Sequence, residues 1–243
     1  DGIIPIITGF MGATKEGVIT TLGRGGSDYS ASIIGVGLKA SDVWIWTDVT
    51  GVMSADPRII PNAKTIPYLS FQEVSEMAFY GAKVLHPKSV KPCLDNHIAM
   101  RICNTFFPKE IGTILVDNQI MNDSGKIKAV TSSNGYKLVT VSGAGMDNGM
   151  NVSARILNGI VDAGVNVSMI IESSSEQSLC LPIPIKDVEK VTRILKDILE
   201  REISRMDIED IEISETVDII TVICPGLKQN PIIIAKVLNQ LDE

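Results

Sequence analysis

The chain has 243 residues, of which 44% are hydrophobic and 21% charged, which is ordinary for a folded globular protein. Its net charge of -7 argues against a nucleic-acid partner, and no apolar run approaches the roughly 18 residues needed to cross a bilayer. Four dispersed cysteines and two histidines argue against a zinc site and indicate a reducing, cytoplasmic location.

The first 118 residues alternate between predicted strands and helices. Strands are predicted over 3–9, 18–22, 43–47, 98–103 and 113–116. Helices are predicted over 28–38, from a capping box at Ser70 to about Tyr80, and from Pro87. This alternation predicts an α/β fold with a largely parallel sheet, whose ligands lie beyond the carboxyl ends of the strands.

A glycine-rich loop joins the second predicted strand to the first predicted helix. It runs Gly23-Arg24-Gly25-Gly26-Ser27-Asp28. Glycine lets backbone amides approach an anion, a helix N-terminus adds unpaired N–H groups, and arginine offers a planar fork of donors. The loop is therefore predicted to bind an anion. Thr47 and Asp48 directly follow the next strand, so we expect both segments to face one crevice.

A polar segment from about 117 to 125 predicts a linker, and the pattern then changes. Strands are predicted over 137–143, 165–171, 178–181 and 208–213. Helices are predicted from Val152 to Ala163 and from a cap at Asp187 onward. The order βαββαβ is that of a ferredoxin-like unit.

The chain also repeats itself at an offset of 81 residues. Residues 138–141 match 219–222, and residues 154–158 match 235–239 without a gap. A match that keeps register over a strand, a turn and a helix predicts a duplicated unit whose second copy stops at Glu243. The apolar start of the chain and this half-built repeat lead us to expect a fragment of a longer protein.

Several motifs then resemble those of aspartate kinase, in order and at that family's spacing. They are Thr8-Gly9-Phe10, the loop 21–31, Trp46-Thr47-Asp48-Val49, Ala55-Asp56-Pro57-Arg58, the segment 81–87 and Asn104-Thr105-Phe106. The remainder resembles paired ACT regulatory domains. The resemblance implies an amino-acid-kinase sandwich with a parallel sheet over 1–118. It further implies a linker and strand of the second ACT unit over 119–135, the first ACT domain over 136–215 and an incomplete second unit over 216–243.

The resemblance implies ATP-dependent phosphorylation of the β-carboxylate of L-aspartate, with Mg²⁺. Arg24 is assigned to the substrate α-carboxylate, with Ser27 and the amides of Gly25 and Gly26 nearby and Phe10 lining the pocket. Asp28 is assigned to hold a catalytic lysine and the substrate ammonium. Without the loop beside it, an Asp at a helix start would be interpreted as a plain N-cap.

Six residues resemble the family's nucleotide contacts, namely Thr47, Asp48, Met53, Asp56, Arg58 and Lys83. Taken singly, the aspartates would be turn residues and the lysine a solvated charge. Residue 53 departs from the family, which usually has tyrosine there, and a thioether can still pack against adenine. His86 is interpreted as a packed or turn residue, because a carboxylate nucleophile needs no general base.

The regulatory half is expected to bind an amino acid, lysine or threonine, and to associate into a homo-oligomer. The implied effector residues are Met146, Asp147, Asn148, Asn151, Asn166, Val167, Ser168, Ser175 and Glu176. The alternative for the last two is a simple hairpin turn.

One family motif, Lys-Phe-Gly-Gly, does not occur in this sequence. Its lysine neutralises charge on the transferred phosphate, so we expect residues 1–243 alone to lack useful kinase activity. The alternative function is a non-catalytic regulatory subunit, or amino-acid-binding module, that partners a catalytic chain. The intact loop around Arg24 and Asp28 favours the enzyme, because a purely regulatory subunit needs neither residue.

Overall fold

A computed structural model describes residues 2–82, 85–117, 125–144, 146, 150–173 and 177–241. The chain divides into two compact units. The first comprises Asp1–Ser132 together with Ile220–Glu243, and the second comprises Ser133–Ile219. Each unit has its own hydrophobic core.

The first unit contains a mixed four-stranded sheet. Its strands are β3 (Asp42–Thr47), β4 (Tyr68–Ser70), β5 (Ala99–Asn104) and β6 (Thr113–Val116), in the order β3-β5-β6-β4. The pairs β3–β5 and β4–β6 are parallel, which agrees with the expected largely parallel sheet, although the strand β4 itself was not predicted. The pair β5–β6 is antiparallel. The connection 105–112 is too short for the crossover that a parallel pair requires.

Three helices pack in this unit where the sequence predicts them. They are α1 (Gly26–Gly37), α2 (Phe71–Phe79) and α3 (Pro87–Asp95). The capping box at Ser70 is present, since its hydroxyl accepts from the Glu73 amide while the Glu73 carboxylate accepts from the Ser70 amide. Apolar side chains of α2, α3 and the sheet form the core, which includes Leu69, Phe71, Met77, Val90, Met100, Ile102 and Leu115.

The predicted buried strand over 3–9 is not formed. Ile3 and Ile6 are 82% and 95% exposed, and no strand that the structure describes pairs with this segment. An apolar run becomes a buried strand only where a neighbouring strand satisfies its backbone groups. The next strand, β2 (Ile19–Thr21), pairs with β1 (Met11–Ala13) in a separate antiparallel hairpin, so it does not join the larger sheet.

The second unit has the predicted βαββαβ order. Its elements are β7 (Ala129–Ser142), α4 (Met150–Asp162), β8 (Ile171–Ser173), β9 (Ser178–Pro184), α5 (Ile185–Ile198), α6 (Glu200–Ser204) and β10 (Asp210–Ile223). Residues 129–132 of β7 and 220–223 of β10 belong to the first unit. The sheet order β10-β7-β9-β8 places the first and third strands in the centre, as in a ferredoxin-like fold. Gly159 allows α4 to approach α5 closely, because a Cβ there would overlap Ile198.

Two predictions in this region are wrong. Residues 165–170 form no strand, and regular pairing begins only at Ile171. Asp187 lies in the first turn of α5, but the N-cap is Pro184 and the helix start has no side-chain cap. The carboxylate at residue 187 therefore contributes its charge near the positive end of the helix dipole.

The C-terminal residues of the first unit continue from β10 into a 3₁₀ turn (Leu227–Gln229) and α7 (Ile232–Asn239). The second copy of the repeat thus presents the strand and the helix that the self-match predicts. No helix in the described part of the chain is long and apolar enough to cross a membrane.

Candidate functional site

The glycine loop has a fixed backbone because it packs against the start of α3. Gly25 is the N-cap of α1 at φ 74°, a left-handed conformation that favours glycine. A Cβ on Gly25 would lie 2.7 Å from the His86 Cβ and 2.9 Å from the Ser89 Oγ. The Ser89 hydroxyl donates to the Gly25 carbonyl at 3.0 Å, and the Ser32 hydroxyl donates to the Ser89 carbonyl at 2.5 Å. Only glycine fits at position 25.

Phe10 closes another side of the loop. Its backbone has φ 72°, which is rare for an aromatic residue. The Phe10 amide donates to the Ser30 Oγ at 3.1 Å, and its carbonyl accepts from the Leu22 amide at 2.9 Å. A Cβ on Gly26 would lie 2.9 Å from the Phe10 ring. The phenyl ring is therefore held against the loop, where the resemblance assigns it to the substrate pocket.

The side chains of the loop are free, in contrast to its backbone. Arg24 and Ser27 are exposed and form no hydrogen bond or ion pair with another residue that the structure describes. Asp28 is half-buried in the first turn of α1, and this burial raises the pKa of its carboxyl. The loop thus offers an uncommitted guanidinium and a partly dehydrated carboxylate to a small charged ligand.

A second group of predicted residues lines a cleft of about 490 Å³ in the same unit. The cleft lies beyond the carboxyl end of β3. It includes Asp48, Met53, Asp56 and Arg58, with Met77, Gly81, Ala82, Thr131 and Ser132 on other walls. Its mixture of thioether and methyl groups with carboxylates and a guanidinium suits a ligand with both an apolar ring and polar groups.

The turn after β3 is held by Asn104, at the end of β5. Its side-chain amide donates to the Asp48 carbonyl at 3.3 Å and to the Thr50 Oγ1 at 3.1 Å, and its side-chain oxygen accepts from the Phe106 amide. Thr47 is half-buried, and its hydroxyl donates to the Asp48 carboxylate at 3.0 Å. Asn104 belongs to a motif that the sequence singles out, but its pattern gave no sign of this role.

The far side of the same loop is also fixed. Gly51, at φ 117°, sits against Thr113, whose hydroxyl accepts from the Val52 amide and donates to the Ile66 carbonyl. Arg58 forms a bidentate ion pair with Asp56, with N–O distances of 3.0 and 2.5 Å. Asp56 thereby raises the pKa of the Arg58 guanidinium. The cleft is largely preorganised without a ligand.

The glycine loop does not line this cleft, since residues 23–28 are not among the described residues that form its walls. The segment after α2 connects them. Gly81 and Ala82 line the cleft, while His86 and Ser89 pack on Gly25. His86 is the N-cap of α3, with its Nδ1 accepting from the Lys88 amide, which agrees with its interpretation as a turn residue. Lys83 lies outside the described residues.

The predicted effector residues fall in the second unit. Met146 and Val167 pack in its core, whereas Asn166 is exposed. The Ser168 Oγ is buried and has no hydrogen-bond partner among the described residues. Asn151 lies in α4, but the structure does not describe its side chain. Four further predicted residues lie outside the described part of the chain, namely Asp147, Asn148, Ser175 and Glu176. Within the described residues, no cluster of three or more His, Cys, Asp or Glu could hold a metal ion.

Comparison with known proteins identifies both parts of the chain. Residues 1–104 match the amino acid kinase family, and residues 139–199 match an ACT domain. The bifunctional aspartokinase/homoserine dehydrogenase of Haemophilus influenzae is 35% identical over 238 residues. That alignment covers 98% of this chain and 29% of the relative.

Solved structures give the same result. Aspartate kinase from Clostridium acetobutylicum matches with a TM-score of 0.86 and 28% identity, over 96% of this chain and 53% of that one. Aspartokinase III of E. coli, in complex with aspartate and ADP, matches with a TM-score of 0.71 and 28% identity, over 91% of this chain and 48% of that one. The complex of that enzyme with lysine and aspartate matches with a TM-score of 0.68 and 31% identity, over 89% of this chain and 47% of that one.

The chain therefore joins a segment of the amino acid kinase class to an ACT domain. More specifically, it belongs to the aspartate kinase family, and the resemblance seen in the sequence is confirmed. It spans about half the length of the aspartate kinase structures and less than a third of the bifunctional relative.

Proposed function

We propose that this chain carries the nucleotide site, the aspartate-binding loop and an effector-binding domain of an aspartate kinase. That enzyme transfers a phosphoryl group from ATP to L-aspartate, giving 4-phospho-L-aspartate at the start of lysine, threonine and methionine biosynthesis. The observation that carries the proposal is the cleft, which gathers Asp48, Met53, Asp56 and Arg58. The aligned E. coli aspartokinase III was solved with aspartate and ADP, which supports the same assignment.

In the proposed reaction, an oxygen of the substrate β-carboxylate attacks the γ-phosphorus, and the bond to the bridging oxygen breaks so that ADP leaves. The nucleophile is already ionised, so no side chain has to remove a proton. The protein's contribution is positioning and charge neutralisation. Arg24 would hold the α-carboxylate with help from Ser27 and the amides of Gly25 and Gly26, and Asp28 would hold the ammonium.

We assign the cleft residues to different parts of the nucleotide. Asp48 would accept hydrogen bonds from the ribose, Asp56, Arg58 and Lys83 would lie near the phosphates, and Met53 would pack against the base. Mg²⁺ is commonly held by one or two carboxylates together with substrate phosphates and water. Asp56, which lines this cleft, would fit that role without a dedicated cage of protein ligands.

The second unit would bind lysine or threonine through Met146 to Asn151, Asn166 to Ser168, and Ser175 with Glu176. The lysine complex of E. coli aspartokinase III supports an amino-acid effector. ACT domains would also join copies of the chain into a homo-oligomer. Regulation would then be a coupling free energy, typically about 1–3 kcal/mol, between effector and substrate binding.

Calorimetry on the 243-residue chain tests the nucleotide site directly. ADP should bind, and Asp48→Asn should weaken that binding by about tenfold, because a carboxylate accepts stronger hydrogen bonds than an amide. Asp162→Asn makes the same chemical change on the exposed face of α4 and should have no effect. Absence of ADP binding, or equal affinities for the unmodified chain and Asp48→Asn, would show that this cleft is not the nucleotide site.

A further inference from the structure

One wall of the cleft comes from the beginning of β7, a segment that the sequence assigns to the linker and ACT region. Thr131 and Ser132 line the cleft there. Thr131 is 8% exposed, and its hydroxyl has no hydrogen-bond partner among the described residues. A buried hydroxyl without a partner costs free energy, so nearly all such groups in folded proteins are paired. Thr131 therefore calls for an explanation.

The position of Thr131 is fixed by contacts that the residues just before it make. The Val130 amide donates to the Ser54 carbonyl at 2.8 Å, which ties β7 to the loop that carries Met53 and Asp56. The Lys128 Nζ lies 3.0 Å from the Glu73 carboxylate, and both side chains are largely buried, at 7% and 12% exposure. Glu73 is itself held by the capping box of α2. The segment 128–131 is therefore anchored to the nucleotide-binding part of the unit.

An ordinary strand threonine does not account for these facts. Threonine is common in strands because its branched side chain packs well there, but its hydroxyl normally faces water or a partner. At position 131 valine would fill the same space without an unsatisfied group. A ligand in the cleft would supply the missing partner once rotation about the Cα–Cβ bond exchanged the positions of the threonine methyl and hydroxyl.

We propose that Thr131 is a nucleotide-binding residue whose hydroxyl forms a hydrogen bond with the nucleoside part of the ligand. This inference rests on the proposed function. Met77 and Ala82 line the cleft together with Thr131 and provide apolar surface of the kind that packs against a base. The charged groups, Asp48, Asp56 and Arg58, come from the loop after β3. The hydroxyl of residue 131 thus adds specificity at the apolar part of the cleft.

The test compares Thr131→Val, which removes only the hydroxyl, with Thr131→Ser, which keeps it. Calorimetry should show ADP and AMP binding weakened by about 3- to 10-fold in Thr131→Val and nearly unchanged in Thr131→Ser. Thr140→Val is the matched control, because it makes the same change further along β7, outside the residues that line the cleft. It should leave both affinities unchanged.

A second measurement distinguishes a ligand-binding role of Thr131 from a purely structural one. Without ligand, the melting temperature of Thr131→Val should equal or exceed that of the unmodified chain, because an unsatisfied buried group has been removed. A purely structural role predicts a lower melting temperature and an unchanged affinity, and this result would overturn the inference alone. So would weakened ADP binding with unchanged AMP binding, since the contact would then lie at the phosphates. If the unmodified chain binds no nucleotide, both this inference and the proposed function are wrong.

Discussion

The glycine loop (residues 23–28) and the cleft loop (residues 48–58), the two proposed binding segments, are organised in opposite ways. In the glycine loop the backbone is fixed by Ser89 and Phe10, but Arg24 and Ser27 point into solvent without partners in the described structure. In the cleft loop the charged side chains are already engaged, most clearly in the ion pair of Asp56 with Arg58.

The two proposed sites would therefore obtain their affinity from different sources. A free arginine loses up to about 2 kcal/mol of rotamer entropy when a ligand orders it, so the charge of the ligand must supply the gain. A preorganised cleft loses little on binding and selects its ligand by shape. Substitutions in one loop at a time distinguish these two sources of affinity.

Gly25→Ala should have the largest effect, about 2–4 kcal/mol of lost unfolding free energy. The left-handed backbone costs about 1 kcal/mol for alanine, and the new Cβ would overlap His86 and Ser89. Denaturant unfolding measures the change. Gly23→Ala is the control, because Gly23 has a similar φ of 78° but no atom of the described residues within 4 Å of its Cβ position. Equal losses for the two variants would show that packing on α3 does not fix the loop.

Asn104→Ala should lower the free energy of unfolding by about 2–3 kcal/mol. The substitution leaves the Asp48 carbonyl, the Thr50 hydroxyl and the Phe106 amide without their present partner. ADP binding should weaken, while L-aspartate binding should persist. Asn96→Ala is the control, because it removes an exposed side chain with one hydrogen bond to the Pro92 carbonyl. Its loss of unfolding free energy should be well below that of Asn104→Ala. If aspartate binding were lost along with nucleotide binding, the two loops would not be independent.

Arg24→Ala should reduce L-aspartate binding by about 10- to 100-fold while leaving unfolding free energy within about 0.5 kcal/mol. The guanidinium is exposed and without a partner in the described residues, so its removal breaks no internal contact. Arg24→Lys keeps the charge, and its affinity for L-aspartate should lie between that of the unmodified chain and that of Arg24→Ala. A stability loss without an affinity loss would contradict the assignment of this side chain to the substrate.

Asp28→Asn should have only a small effect on stability, a gain well under about 1 kcal/mol, because the carboxylate is half-exposed and screened by water. Burial raises the pKa of Asp28, so the ionised group destabilises the folded state above its folded pKa. That destabilisation disappears as the pH falls through the raised pKa toward the unfolded value. Unfolding at pH 7 and pH 4 should therefore show the advantage of Asp28→Asn shrinking at the lower pH, whereas an advantage that grew would contradict the assigned shift. L-aspartate should bind this variant more weakly at pH 7.

Local signals predicted most of the elements and boundaries correctly. The capping box at Ser70, the proline at position 87 and the helical stripe of α4 act within a few residues, so each could be recognised without tertiary information. The ferredoxin-like order followed from the succession of elements. By contrast, the apolar segment 3–9 was predicted as a buried strand, since hydrophobicity alone does not show whether a neighbouring strand is present.

The amino-acid sequence alone determined the family, the alternation of strands and helices, and the residue types of the two loops. Only the tertiary structure shows that His86 and Ser89 leave no room for a side chain at Gly25, and that Thr131 lines the cleft. Ser89 is 64 residues from Gly25, and its contact depends on how α1 and α3 pack. Hydrophobic periodicity and turn propensity carry no information over such distances, because they reflect only the conformation of nearby backbone.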